Sequence, residues 1–139
     1  MENHEILEKI IQLKRNLGRI YGSVKLKTSL NRTELIIFMI IGENNGISPG
    51  KLSNLTGFSK SLITISITNL ENAGLIKRKR ASDRRKIEIE ITKKGMEKFL
   101  KIKDNVDKNF NNMISKLSKE EIESLSQCLD KMLSIIEKL

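Results

Sequence analysis

Five residues, Ile87-Glu88-Ile89-Glu90-Ile91, alternate strictly between apolar and acidic, and a dense run of positive charge lies just before them. Alternation with period two specifies a strand with one buried and one wet face. From 77 to 86 there are seven cations and one carboxylate, which is six of the formal net charge of +9. Upstream, Ser59 is a candidate N-cap, and Ile63, Ile67 and Leu70 recur at the three-to-four spacing of a helix with one apolar face. Gly74 is a natural helix stop, because glycine enters the left-handed conformation without steric cost. The stretch from Ser59 to Gly95 therefore reads as a helix, a strand, a strongly basic turn, a second strand and the start of another helix.

The rest of the 139-residue chain builds on this stretch. Ile6, Ile10, Leu13, Leu17, Ile20 and Val24 fall at helical spacing and predict a first amphipathic helix of roughly six turns. Asn31 with Glu34 has the form of a capping box, opening a second helix that is apolar from Leu35 to Ile41. Ser48-Pro49 is a cap followed by proline at the first helical position, and a short helix bearing Leu52 and Leu55 runs to about Thr56. Gly57 makes the turn, Phe58 plugs the core and Ser59 opens the next helix. Short helix, glycine turn and second helix form a helix-turn-helix, and the basic hairpin behind it is a wing. Thr92 caps a long helix carrying Met96, Phe99, Leu100, Val106, Phe110 and Met113, and Ser118 with Glu121 restarts the chain in a last helix.

The fold expected is mainly α with a small β-hairpin wing, as one domain over 1–139. Residues 31–95 form the winged helix-turn-helix, and 1–30 and 96–139 supply flanking helices. On the first of these, Ile6, Ile10, Leu13 and Leu17 form an apolar stripe; on the last, Leu125, Leu129, Met132, Ile136 and Leu139 continue one from Ile122. Little is left within the chain to cover these stripes, so a homodimer joined through both termini is expected.

Charge and composition narrow the partners. A pI near 9.7 favours a polyanion, with double-stranded DNA ahead of an anionic membrane surface. Aromatics are only 4% with no Trp, which argues against a reader that stacks single-stranded bases. One cysteine, Cys128, excludes an internal disulfide and a cysteine-based zinc site, and it reads as a buried spacer. His4 is the only histidine, so neither a metal nor another cofactor is expected. No apolar run reaches membrane-spanning length and no signal-peptide pattern opens the chain, so no membrane association and a cytoplasmic location are expected. No nucleophile–base pair, glycine-rich phosphate loop or dinucleotide fingerprint is present, so the chain is not read as an enzyme.

Three pieces in this order and spacing, Leu70-Glu71-Asn72-Ala73-Gly74-Leu75-Ile76-Lys77-Arg78, then Asp83-Arg84-Arg85, then Ile91-Thr92-Lys93-Lys94-Gly95, resemble the MarR family of bacterial and archaeal winged-helix regulators. The resemblance implies a transcription regulator, usually a repressor, that binds a pseudo-palindromic operator as a homodimer and is released by a small-molecule effector. It implies that Arg85 is the wing arginine entering a minor groove, that Asp83 orients it, and that Arg84, Lys86 and Arg78 join it on DNA. A guanidinium is attracted to the negative potential of a narrow A·T-rich groove, and an adjacent carboxylate can fix its fork. Lys60, Ser61, Thr64, Ile65 and Thr68, with Ser59 at the helix start, match the outward positions of the family's recognition helix. Ile65 and Asn69 stand where many relatives carry a basic residue, which implies reliance on wing, phosphates and groove shape more than on guanine readout. Tyr21 is the candidate for an effector pocket, with plain packing as its alternative role. The competing function is an architectural or anti-regulator winged-helix protein that binds DNA without sequence preference or binds a protein partner.

Overall fold

In a computed structural model the described residues, 2–22, 28–83 and 85–139, form six helices and one two-stranded sheet. Val24, Arg84 and the side chain of Tyr21, singled out above, lie outside the described residues. The elements in order are α1 (Glu2–Gly22), α2 (Arg32–Glu43), α3 (Pro49–Thr56), α4 (Lys60–Asn72), β1 (Ile76–Arg80), β2 (Ile87–Ile91), α5 (Lys93–Ile114) and α6 (Lys119–Ile136). The fold is mainly α with a small β-hairpin wing, as expected.

Local chemistry sets the helix starts. The Asn31 side chain accepts from the Glu34 amide at 2.8 Å while the Glu34 carboxylate accepts from the Asn31 amide at 3.1 Å, a complete capping box. Ser118 and Glu121 repeat it at 3.1 and 3.0 Å, which is why the chain breaks after α5 and restarts. Ser48 and Ser59 cap α3 and α4 through their hydroxyls. Gly57 and Gly74 leave these two helices at φ +73° and +76°, a region costly for any other residue here.

The chain divides into two compact units. One comprises residues 25–104, so it extends past Gly95 and takes in the first half of α5. Its core joins Ile37, Phe38 and Ile41 of α2, Leu52 of α3, Ile63, Ile67 and Leu70 of α4, Leu75, Ile76 and Ile89 around the hairpin, and Phe99 and Ile102 of α5. Phe38 and Phe99 meet edge to face at 6.4 Å between centroids. Gly42 lies under the Phe99 ring, with no room for a Cβ. Phe58 is half-buried against this core, as the sequence predicts.

β1 and β2 pair antiparallel, with Ile76 opposite Ile91 and Arg80 opposite Ile87. A further bridge joins Ile47 to Ile89, so the loop before α3 adds a third, one-residue rung that the sequence did not signal. The three motif pieces singled out in the sequence prove to be partly one bonded unit. The Thr92 hydroxyl donates to the Gly74 carbonyl at 2.6 Å and accepts from the Gly95 amide at 3.0 Å. The Lys94 ammonium donates to the Ala73 carbonyl at 3.0 Å, placing a cation at the C-terminal end of α4 where the helix dipole favours it. Gly95 sits against the Leu75 carbonyl and the Ile91 side chain, leaving no space for a Cβ.

The other unit holds residues 1–24 and 105–139. Its helices are amphipathic, yet no residue of α6 is buried. Ile6, Ile10, Leu13 and Leu17 on α1 and Leu125, Leu129 and Ile136 on α6 are exposed, with Met132 half-buried. Two expectations are corrected here. Leu139 does not lie on the α6 stripe: the helix ends at Ile136, and Leu139 is 100% exposed beyond it. Cys128 is exposed and not a buried spacer, because α6 buries nothing within the chain.

Candidate nucleic-acid interface

The 25–104 unit carries the candidate interface, built from α4 and the hairpin. Along α4 the side chains divide cleanly. Ile63, Ser66, Ile67 and Leu70 face the core, whereas Lys60, Ser61, Thr64, Ile65 and Thr68 are exposed, and Ile65, at 59%, is a large apolar side chain left in water. The Ser59 hydroxyl accepts from the Leu62 amide at 3.2 Å, and the Thr64 hydroxyl donates to the Lys60 carbonyl at 2.8 Å. Both oxygens keep lone-pair or proton capacity for a phosphate or base edge.

Asn69 has a different role. Its side-chain amide donates to the Glu34 carboxylate at 3.0 Å, so it ties α4 to α2. Glu34 is 9% exposed and its two oxygens serve separate partners, the capping bond on one side and Asn69 on the other.

The hairpin sorts the basic run. Lys77 to Arg80 lie within β1 and not in the turn, so alternation sends neighbouring cations to opposite faces. Lys77 and Lys79 share a face with Glu88 and Glu90 and lie 3.7 and 3.5 Å from the Glu90 carboxylate. Arg78 and Arg80 share the other face, opposite Ile89 and Ile87. Arg78 donates from Nη2 to the Thr68 hydroxyl at 3.0 Å. Arg80 is exposed beside the exposed Ile87 and is a cation that sequence reasoning passed over, because four successive cations offer no apolar–polar alternation to read.

At the tip, the Lys86 amide donates to the Asp83 carbonyl at 2.9 Å and the Ala81 amide to the Lys86 carbonyl at 3.0 Å, closing a tight turn. The Asp83 carboxylate accepts from the Arg85 backbone amide at 3.2 Å and not from its guanidinium. Asp83 thus fixes the backbone under Arg85 and leaves the guanidinium exposed, since the short Asp side chain folds onto its own turn. Arg85 and Lys86 project from this turn, both exposed.

Elsewhere chemistry is sparse. His4 lies 3.3 Å from Glu8 within α1. Among the described residues no group of three or more His, Cys, Asp and Glu side chains could hold a metal ion, and no helix is long and apolar enough to cross a membrane.

Comparison with known proteins agrees with this fold. A family model described as transcriptional regulator SarA/Rot matches residues 19–102. A comparison with curated proteins finds no match. Among solved structures, the chain is similar to a MarR family protein from Bacillus stearothermophilus, with a TM-score of 0.82 at 19% identity over 99% of each chain. FabT of Streptococcus pneumoniae, solved in complex with DNA, has a TM-score of 0.74 at 24% identity, covering 97% of this chain and 95% of that one. The transcriptional regulator BldR from Sulfolobus solfataricus has a TM-score of 0.72 at 27% identity, covering 96% and 95%.

Proposed function

The chain belongs to the SarA/Rot family of transcriptional regulators, and from that premise we propose that it is a repressor that binds a pseudo-palindromic DNA duplex as a homodimer. The observation that carries the reading is the joint exposure, within one compact unit, of the Lys60–Thr64–Ile65 side of α4 and of a wing whose tip cations have no protein carboxylate on their guanidinium or ammonium groups among the described residues. Lys60, Ser61, Thr64 and Ile65, with Ser59 at the helix start, enter a major groove. Ile65 meets a thymine methyl and the hydroxyls meet phosphates or base edges. Arg85, flanked by Arg84 and Lys86, enters the neighbouring minor groove.

The exposed stripes on α1 and α6 supply the two-fold contact, because an apolar face of that extent calls for cover. Symmetry then places two reading helices about one turn, ~10 bp, apart. An effector acts by changing the distance between the two winged units, since both dock only at matched spacing. Selection of duplexes from a random pool, followed by titration of the selected and scrambled sequences, tests the reading. A two-fold symmetric consensus bound far more tightly than its scrambled form is the expected result.

One observation favours the architectural alternative. Lys60 is the only cation on α4, so the exposed face of the recognition helix offers few charge-assisted contacts to bases. Equal binding to all duplexes, with steep salt dependence, would select that alternative.

A further inference from the structure

We propose that Arg78 is a positioning residue: through its bond to Thr68 it ties the wing to the recognition helix and sets the distance between the groove-reading end of α4 and the wing tip. The inference rests on the duplex-binding function proposed above. It reassigns two residues whose motif positions had marked them as DNA contacts.

The geometry separates Arg78 from the other wing cations. Arg78 opposes Ile89, which is fully buried, so its side chain rises from the middle of the hairpin and not from the tip at Asp83–Lys86. Lys77 and Lys79 leave by the opposite face toward Glu90. Arg78 turns to α4 and donates to Thr68 at 3.0 Å. Thr68 lies two turns beyond Lys60, in the C-terminal half of a helix that ends at Asn72. Helix-turn-helix proteins read base edges with the N-terminal residues of the recognition helix, so the Thr68 hydroxyl stands behind the reading end. The buried Ile76 anchors the hairpin root in the core, and the Arg78–Thr68 bond adds a polar tie two residues further out.

The chemistry explains what such a tie does. An exposed hydrogen bond contributes little in water, but a docked duplex excludes water and strengthens it. The guanidinium is a rigid fork, so one donor fixed on Thr68 sets the orientation of the whole group, which an ammonium would not do. Ordering the wing before docking reduces the entropy lost on binding. Wing and helix then meet their grooves as one body with a fixed spacing.

The test uses the full chain, the variants Arg78→Met, Thr68→Val and both together, and a labelled duplex selected from a random pool by the wild-type protein. Both side chains are exposed, so the core is untouched, and circular dichroism melting verifies folding of each variant. Each single substitution should weaken binding about fivefold, the scale of one hydrogen bond, and the double variant should be no weaker than the Arg78→Met single. The slope of log affinity against log salt should stay unchanged. Losses that multiply, or a slope lowered by about one, identify Arg78 as a direct phosphate contact and overturn the tie. A second measurement needs no DNA: backbone nitrogen relaxation should show the wing residues 79–82 more mobile on the nanosecond scale in both single variants than in the wild type. Equal mobility overturns the tie, whereas a wild type that binds no duplex overturns the proposed function alone.

Discussion

Asn69 and Glu34, 35 residues apart, are joined by a 3.0 Å hydrogen bond that fastens the recognition helix to the start of α2. The same carboxylate closes the capping box of α2, so one buried side chain orders two helices. Asn69 occupies a place where a basic residue would have pointed to base reading, and the partner it finds inside the protein accounts for it.

Replacing Glu34 with Ala removes both bonds and leaves the Asn31 amide and the Asn69 side chain without their acceptor. The expected loss is about 2–3 kcal/mol of folding free energy, compared with about 1 kcal/mol for Asn69→Ala. Urea unfolding of the two variants checks the order as well as the size.

Gly95→Ala drives a methyl group into the Leu75 carbonyl and the Ile91 side chain. Backbone cannot move aside as a flexible side chain does, so a loss of about 1–3 kcal/mol or more is expected. Thermal melting measures it. Gly50→Ala, where a Cβ meets nothing within 4 Å, serves as the comparison and should change little.

The wing faces should differ in their effect on DNA. Arg85→Ala is expected to weaken binding strongly and lower the salt slope by about one, because its guanidinium extends from the tip toward solvent. Lys79→Ala, on the face held by Glu90, should change affinity by less than about twofold. Fluorescence anisotropy at several salt concentrations distinguishes the two.

Leu129→Glu places a charge in the α6 stripe. If that stripe joins two copies, the variant sediments as a monomer at concentrations where the wild type is a dimer, with unchanged helical circular dichroism. A wild type that is itself monomeric at micromolar concentration overturns the dimer.

Much of the fold was legible along the chain because its signals are short-range. The caps at Asn31, Ser48, Ser59 and Ser118 depend on groups three residues apart, and all four form as read. The stops at Gly57 and Gly74 depend on one residue each, and the Ile-Glu alternation of β2 depends on period alone. The buried face of α4, with Ile63, Ile67 and Leu70, followed in the same way from helical spacing.

Partners distant in the chain were not legible. Alternation could place Lys77 and Arg78 on opposite faces once the strand was known, but only the antiparallel register brought Glu90 to the lysines, and only the approach of α4 brought Thr68 to the arginine. The Ile47–Ile89 rung and the Asn69–Glu34 bond likewise join residues 42 and 35 positions apart. A hydrogen bond reaches about 3 Å, so which distant groups come within that reach is decided by how the helices and hairpin settle on their common core, and not by any local preference of the chain.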